Sequence, residues 1–305
     1  MKNEEILDLY LEEILRSGRN FNRRDVELRR YLDFCSQNYD GYIKYESVKG
    51  WLEHRRNSLN LQSLATVQNR ISDFAGWAKL LNKSIEPIPR AKRLKIDRRR
   101  PVIIKKSQIV KFIQRQRSVP SRKGINPITF STITGLLYTT GLRVGEALNL
   151  RLDHLDLKRR SIYVSGGKGI ADRTIWFSVN TQTALENYHK WRLTYGRNST
   201  RFFIYDKVDT KGPYAIYLKN FQKIASEEKL RSAKSGRHRS NFIIHDLRHS
   251  YTVNALINIY KSNLNIHECI IELSATLGHK SLNHTYWYVE QVPELTDAAC
   301  RRMLK

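Results

Sequence analysis

The chain has 305 residues, enough for two domains with separate apolar cores. Its 54 Lys+Arg against 29 Asp+Glu give a formal charge of +25 and a pI near 10.1, so the expected partner is a polyanion. No apolar run approaches the roughly 20 residues of a membrane span, Met1 to Glu5 is too acidic for a signal peptide, and three scattered cysteines (Cys35, Cys269, Cys300) fit neither a disulfide framework nor a zinc-finger spacing. The expectation is therefore an intracellular, reduced protein that binds nucleic acid and no membrane.

The first eighty-odd residues read as four helices. Ile6, Tyr10 and Ile14, with Leu7, Leu11 and Leu15 alongside, mark the first. Asn22 to Asn38 carries the second on Val26, Leu28, Tyr31, Leu32 and Phe34, and Trp51 and Leu52 anchor the third. Leu64, Val67, Ile71, Phe74, Trp77, Ala78 and Leu81 form the stripe of the fourth. Four short helices can close one small core, which makes residues 1–85 a helical module. Arg55, Arg56, Arg70 and Lys79 are either a DNA face of that module or ordinary solvated positions. Three prolines and a basic run then read as an interdomain linker over residues 86–104. Lys92, Arg93, Lys95, Arg98, Arg99 and Arg100 are its candidate phosphate contacts.

From residue 105 the pattern changes. Ser107 is a candidate helix N-cap, and Ile128 to Tyr138 reads as a further helix. Gly141 suits a left-handed C-cap, with a new helix near Arg143 that puts Arg143 and Glu146 on one face. Arg160–Val164 and Arg173–Phe177 alternate like two strands, joined by a glycine-rich tip bearing Lys168. Helices follow around Ala184–Leu193 and Tyr217–Ser226, then a basic stretch over 229–239. The fold class is mainly α (α+β): a four-helix front module and a larger, mostly helical domain over 105–305 with a small β-hairpin.

In Phe242-Ile-Ile-His-Asp-Leu-Arg-His-Ser-Tyr251 an apolar run turns polar. On a helix His245 and Arg248 project from the same face, an arrangement suited to a phosphodiester: Arg forks onto two oxygens while His serves a third position. A second reading competes, because His245 and His249 with an acid between them imitate the zinc motif His-Glu-x-x-His. That motif wants Glu as its base, and here a charged Arg248 would sit beside a dication.

The ordered set Gly141-Leu-Arg-Val-Gly-Glu146, Gly167-Lys-Gly169, His245-Asp-Leu-Arg-His249, Leu277-Gly-His279 and Thr285-Tyr-Trp-Tyr288 resembles the tyrosine recombinases, the integrase family of DNA strand-exchange enzymes. The resemblance implies a core-binding domain over 1–85 and a catalytic domain over 105–305. By position it makes Arg143 and Arg248 the clamp on the scissile phosphate, Lys168 the hairpin lysine, His245 and His279 the two histidines, and Tyr288 the nucleophile, with Tyr286 as local rival. Glu146 takes the supporting acidic position. The chemistry is consistent with these roles. A phenol of reference pKa about 10 is a weak nucleophile, and two guanidiniums stabilise both the phenolate and the charge that builds on phosphorus. Lys168 could protonate the leaving 5′-oxygen. The arginines do what a metal would, so no metal or cofactor is expected, the zinc reading recedes, and His249 becomes structural support.

The resemblance further implies a cytoplasmic, nucleoid-associated site-specific recombinase, integrase- or transposase-like, acting through a 3′-phosphotyrosyl intermediate and a Holliday junction, with integration, excision, transposition and dimer resolution all left open as its task. Its partners would be double-stranded DNA with inverted-repeat core sites and three further copies of itself, a homo-tetramer on DNA from a free monomer or dimer. The front module begins at the first residues, so no separate arm-binding domain is expected. A last helix from Pro293, with Leu295, Ala298, Ala299 and Met303 on its apolar edge, either packs on its own domain or, the reading the resemblance favours, docks into a neighbouring protomer. One departure is the 34-residue separation of His245 and His279 (279 − 245), with extra length around 257–267. The rival readings are a type IB topoisomerase with the same chemistry and a catalytically silent DNA-binding protein.

Overall fold

The structure, a computed structural model, describes residues 2–17, 24–92, 101–118, 125–166, 171–195, 199–205, 212–228 and 242–303. The chain divides into two compact units, Met1–Arg98 and Arg99–Lys305. Lys168 and five of the six basic linker residues (Arg93, Lys95, Arg98, Arg99 and Arg100) lie outside the described residues, and Lys92 is exposed.

The first unit holds helices α1 (Asn3–Arg16), α2 (Arg24–Asn38), α3 (Tyr45–Arg55) and α4 (Leu61–Ala78). Their stripes meet in one core of Ile6, Leu7, Tyr10, Leu28, Tyr31, Trp51, Ile71 and Phe74. Asn60 caps α4 by accepting from the Ser63 N–H at 2.9 Å. Three expected core residues, Leu15, Val26 and Leu81, are exposed instead. Each lies at or past a helix end, where the apolar stripe outruns the surface it faces. Cys35, left out of the stripe on sequence, is fully buried and behaves as a small hydrophobe.

The stretch after α4 is not a bare tether. Ile85 and Ile88 join the first core. The Ser72 hydroxyl donates to the Ile88 carbonyl at 2.7 Å, Gln68 Nε2 donates to the Pro89 carbonyl at 3.0 Å, and the Ala91 N–H donates to Asn69 Oδ1 at 3.0 Å. Arg90 pairs with Asp73. The prolines prevent helix formation, and α4 side chains satisfy the backbone groups that a loop would otherwise leave to water.

The second unit runs α5 (Lys106–Ser118), α6 (Pro127–Thr140), α7 (Val144–Leu148), a 3-10 turn at Leu152–His154, strands β1 (Leu155–Asp156), β2 (Ser161–Val164) and β3 (Arg173–Trp176), then α8 (Val179–Thr194), α9 (Gly212–Glu227), α10 (His245–Lys261), α11 (Ile266–Leu277), α12 (Asn283–Gln291) and α13 (Pro293–Met303). The sheet is antiparallel in the order β1-β2-β3, with Ser161 opposite Trp176 and Val164 opposite Arg173. The apolar helix α6 packs against α5, α8 and α10 at the centre of a core that includes Phe112, Ile133, Leu137, Phe203, Phe221 and Leu247. A second cluster of Val253, Leu256, Ile270, Leu277, Tyr288, Val292 and Leu295 joins α10 to α13. Among the described residues no helix is long and apolar enough to cross a membrane.

Helices α6 and α11 both end on left-handed glycines, Gly141 (φ +66°) and Gly278 (φ +65°). A Cβ at Gly141 would lie 2.4 Å from the Tyr251 ring, so conformation and space both demand glycine there. Asp246, at the start of α10, is a structural acid: Oδ1 accepts from the Val102 N–H at 3.2 Å and Oδ2 from the Ile243 N–H at 2.8 Å. Ser250 Oγ accepts from the Ile104 N–H at 2.9 Å, so residues 102–104 are fastened along α10.

The extra length between the two histidines becomes the last turn of α10, a short connection, and the first turn of α11. Asn265 caps α11 by accepting from the His267 and Glu268 N–H groups at 3.0 and 3.4 Å. Helix α13 packs on α10 and α12 of its own chain, with Leu295 fully buried.

Candidate active site

Arg143 is the N-cap of α7, three residues before Glu146. That spacing lets the carboxylate turn back: Oε2 accepts from the Arg143 N–H at 2.8 Å and Oε1 pairs with Arg143 Nη1 at 3.0 Å. Arg143 Nη2 reaches the Gly278 carbonyl at 2.8 Å, tying α7 to the end of α11. Glu146 Oε2 also accepts from Arg173 Nη2 at 2.8 Å, and Arg173 Nε donates to the Thr276 carbonyl at 2.8 Å. Burial alone would raise the Glu146 carboxyl. The Arg143 N–H and the Arg173 guanidinium outweigh it and hold the group below its ordinary value, ionised and bridging two arginines.

Arg173 is absent from the sequence-derived site. Its side chain is only 7% exposed. The signal was available in the strand period: Arg173 shares the inward face of β3 with buried Ile175, and a buried guanidinium needs a partner.

Arg248, on α10, is 3% exposed. Its Nη1 donates to the Gly141 carbonyl at 2.7 Å and its Nη2 to the Leu277 carbonyl at 2.5 Å. The C-terminal ends of α6 and α11 thus present carbonyls, and the negative ends of two helix dipoles, to this guanidinium. Burial, with the like charge of Arg143, pushes its pKa down to about 10, so it stays protonated at neutral pH.

His279 lies on the turn after Gly278, and its Nδ1 is 2.8 Å from the buried Thr285 hydroxyl. Burial first, then the field of Arg248, pushes its pKa down to about 3, which leaves a neutral imidazole. An unfolded chain would protonate this group near 6.5. Between those values the unfolded state binds more protons, so the His279 contribution to stability is complete above about pH 6.5 and is lost as pH falls towards 3. Urea titrations across that range should show a shallower acid loss in His279→Gln than in the parent chain; parallel curves would contradict the assignment.

Tyr288 sits on α12 with 3% of its surface exposed, packed with Val253, Leu256 and Leu295. Burial raises its phenol pKa, and Arg248 opposes that rise. Its hydroxyl is 2.7 Å from His249 Nδ1. The residue read on sequence as structural support therefore touches the expected nucleophile. His245 is exposed, with its ring edge-to-face against His249 at 4.5 Å. The rival Tyr286 turns elsewhere, its hydroxyl 3.4 Å from His267 Nδ1 on the first turn of α11.

The structure thus gathers Arg143, Glu146, Arg248, His279 and Tyr288, with His245 on the first turn of α10, and adds Arg173 and His249. The guanidiniums of Arg143 and Arg248, with a tyrosine hydroxyl in the same cluster, suit an anionic phosphate ester.

Comparison with known proteins agrees with this chemistry. Residues 103–294 match the phage integrase family. A Sinorhizobium fredii chain named as an integrase/recombinase, y4rB, is 26% identical over 304 residues, covering 96% of this chain and 94% of that one. The tyrosine recombinase XerA of Thermococcus kodakarensis is 26% identical over 300 residues, covering 95% and 91%. In fold, the chain is similar to the Tn1549 transposon integrase in complex with transposon right-end DNA, with a TM-score of 0.63 at 15% identity over 98% of this chain and 99% of that one. The family match spans well over half of the sequence, and the chain belongs to the phage integrase family: it is a tyrosine recombinase, an enzyme that breaks and rejoins DNA strands.

Proposed function

We propose that this recombinase exchanges strands between two duplex sites through a 3′-phosphotyrosyl bond to Tyr288. The observation that carries the reading is the clustering of Arg143 and Arg248, each anchored by a helix-terminal carbonyl, in a site shared with a buried tyrosine. In the proposed step Tyr288 Oη attacks phosphorus and the bond to the 5′-oxygen breaks. Arg143 and Arg248 hold the non-bridging oxygens, where charge develops, each contributing about 3–4 kcal/mol of transition-state stabilisation. Because their carbonyl partners fix them beforehand, little reorganisation is needed at the moment of reaction. Neutral His279 and exposed His245 complete the hydrogen bonds to the phosphate, Lys168 supplies the proton to the leaving oxygen, and Glu146 and Arg173 hold Arg143 in place. The guanidiniums carry the charge stabilisation, so this chemistry calls for no metal.

The assembly we propose is a homo-tetramer on two inverted-repeat sites, passing through a Holliday junction, with the basic residues Lys92, Arg93, Lys95, Arg98, Arg99 and Arg100 along the phosphate backbone. Any exchange of α13 between protomers must first vacate its seat on α10. The test is to enrich binding sites from random duplex DNA and clone two copies into one supercoiled plasmid. Recombinant circles that depend on both sites are expected. Relaxation of plasmids without the sites, and no recombinants, would instead identify a type IB topoisomerase.

A further inference from the structure

The geometry points to His249 as the group that takes the Tyr288 proton during cleavage and returns it during rejoining. This rests on Tyr288 being the nucleophile, and it gives the tyrosine proton to a residue outside the Arg, Lys, His and Tyr set taken from sequence.

Two of the three histidines in the site are placed for other tasks. His279 Nδ1 is engaged by the Thr285 hydroxyl. His245 begins α10 and is exposed, on the same helical face as Arg248. His249 has a ring nitrogen at hydrogen-bond distance from Tyr288 Oη, at 2.7 Å. Three neighbouring rings frame it: His245 at 4.5 Å, Tyr288 at 5.5 Å and Trp287 at 6.2 Å. The imidazole is therefore held on the nucleophile before any substrate arrives. That satisfies the geometric requirement for a general base.

The protons balance. In the proposed resting state the phenol, its pKa raised by burial, is neutral and donates to Nδ1 of an imidazole that carries its own proton on Nε2. As Oη bonds to phosphorus, its proton passes to Nδ1 and an imidazolium forms. The bond from phosphorus to the 5′-oxygen breaks, and that oxygen takes a proton from a separate acid. Rejoining runs the same transfers backwards. His249 serves the nucleophile while the acid serves the leaving group, and the two can be separated by changing the leaving atom.

The test uses the full chain and a nicked suicide duplex carrying the enriched site. A matching duplex has sulfur in place of the bridging 5′-oxygen, and sulfur leaves without needing a proton. His249→Asn keeps a polar atom near the Nδ1 position but cannot accept the proton. It should slow covalent adduct formation on both duplexes by about 10²-fold or more, in the range general-base catalysis supplies, with DNA affinity unchanged. Lys168→Ala, by contrast, should recover on the sulfur duplex. Added imidazole should partly restore His249→Ala. Cleavage by His249→Asn at the parental rate, or faster because the hydrogen bond merely restrains Tyr288, overturns the proposal. Should the variants fail to fold, ¹⁵N spectra of the parent chain decide: a proton resident on His249 Nδ1 overturns it, and one on Nε2 supports it. Absence of any adduct with the parent chain, or its persistence in Tyr288→Phe, would instead strike the nucleophile assignment beneath.

Discussion

Tyr288→Phe is expected to abolish the covalent protein–DNA adduct on a nicked suicide substrate and to leave DNA affinity unchanged. The substitution removes one oxygen from a ring packed among Val253, Leu256 and Leu295, so the core keeps its volume. What is lost in the folded state is the hydroxyl's hydrogen bonding to His249 and Thr252, worth about 1 kcal/mol per bond. The loss of chemistry should be total, because phenylalanine has no atom that can bond to phosphorus. Gel separation of denatured protein–DNA species gives a direct reading. Tyr286→Phe is the matched control and should retain the adduct, since its hydroxyl faces His267. An adduct surviving in Tyr288→Phe and absent in Tyr286→Phe would exchange the two assignments.

The second large effect is expected at Arg248, where catalysis and stability fall together. Arg248→Ala removes both donors from the Gly141 and Leu277 carbonyls in a buried setting. Each buried acceptor left without a donor costs about 1–3 kcal/mol, so chemical denaturation should show a loss of several kcal/mol. Cleavage should fall by about 10²–10³-fold or more, as when a preorganised oxyanion donor is removed. Arg248→Lys separates the two effects. It keeps the charge but replaces a planar fork with a point donor, so stability should recover partly and cleavage much less. A stable Arg248→Ala chain that cleaves at the parental rate would remove this guanidinium from the mechanism.

The helices with regular apolar stripes were legible in the sequence, as was the hairpin, whose strands alternate cleanly. Arg143, Glu146, Arg248, His279 and Tyr288 could be named because their spacing along the chain resembles a family. The residues that were missed are missing for a physical reason. Arg173 reads locally as the polar start of a strand, and only tertiary packing turns its guanidinium onto Glu146, 27 positions earlier. His249 lies 39 positions from Tyr288, and their contact depends on how α10 meets α12, which no local pattern encodes. Asp246 looked like part of a metal motif, but its oxygens are taken up by backbone N–H groups, one of them 144 positions away. The residues at helix ends failed in the opposite sense, because periodicity continues past the point where a helix has a neighbour to face.

The two glycines that close α6 and α11 have a consequence for how this chain can vary. Gly141 and Leu277 hold Arg248 through their carbonyls, Gly278 holds Arg143, and Gly278 lies against the Arg173 guanidinium as well. A side chain at either glycine would strain a left-handed backbone and crowd the Tyr251 ring or the Arg173 guanidinium, next to the oxygens that aim the arginines. Positions with no functional group at all thus carry the same intolerance to change as the charged residues they serve. Across variants of this chain, the glycines should drift as slowly as the arginines, so a map of mutational tolerance would outline the frame of the active site as sharply as its chemistry.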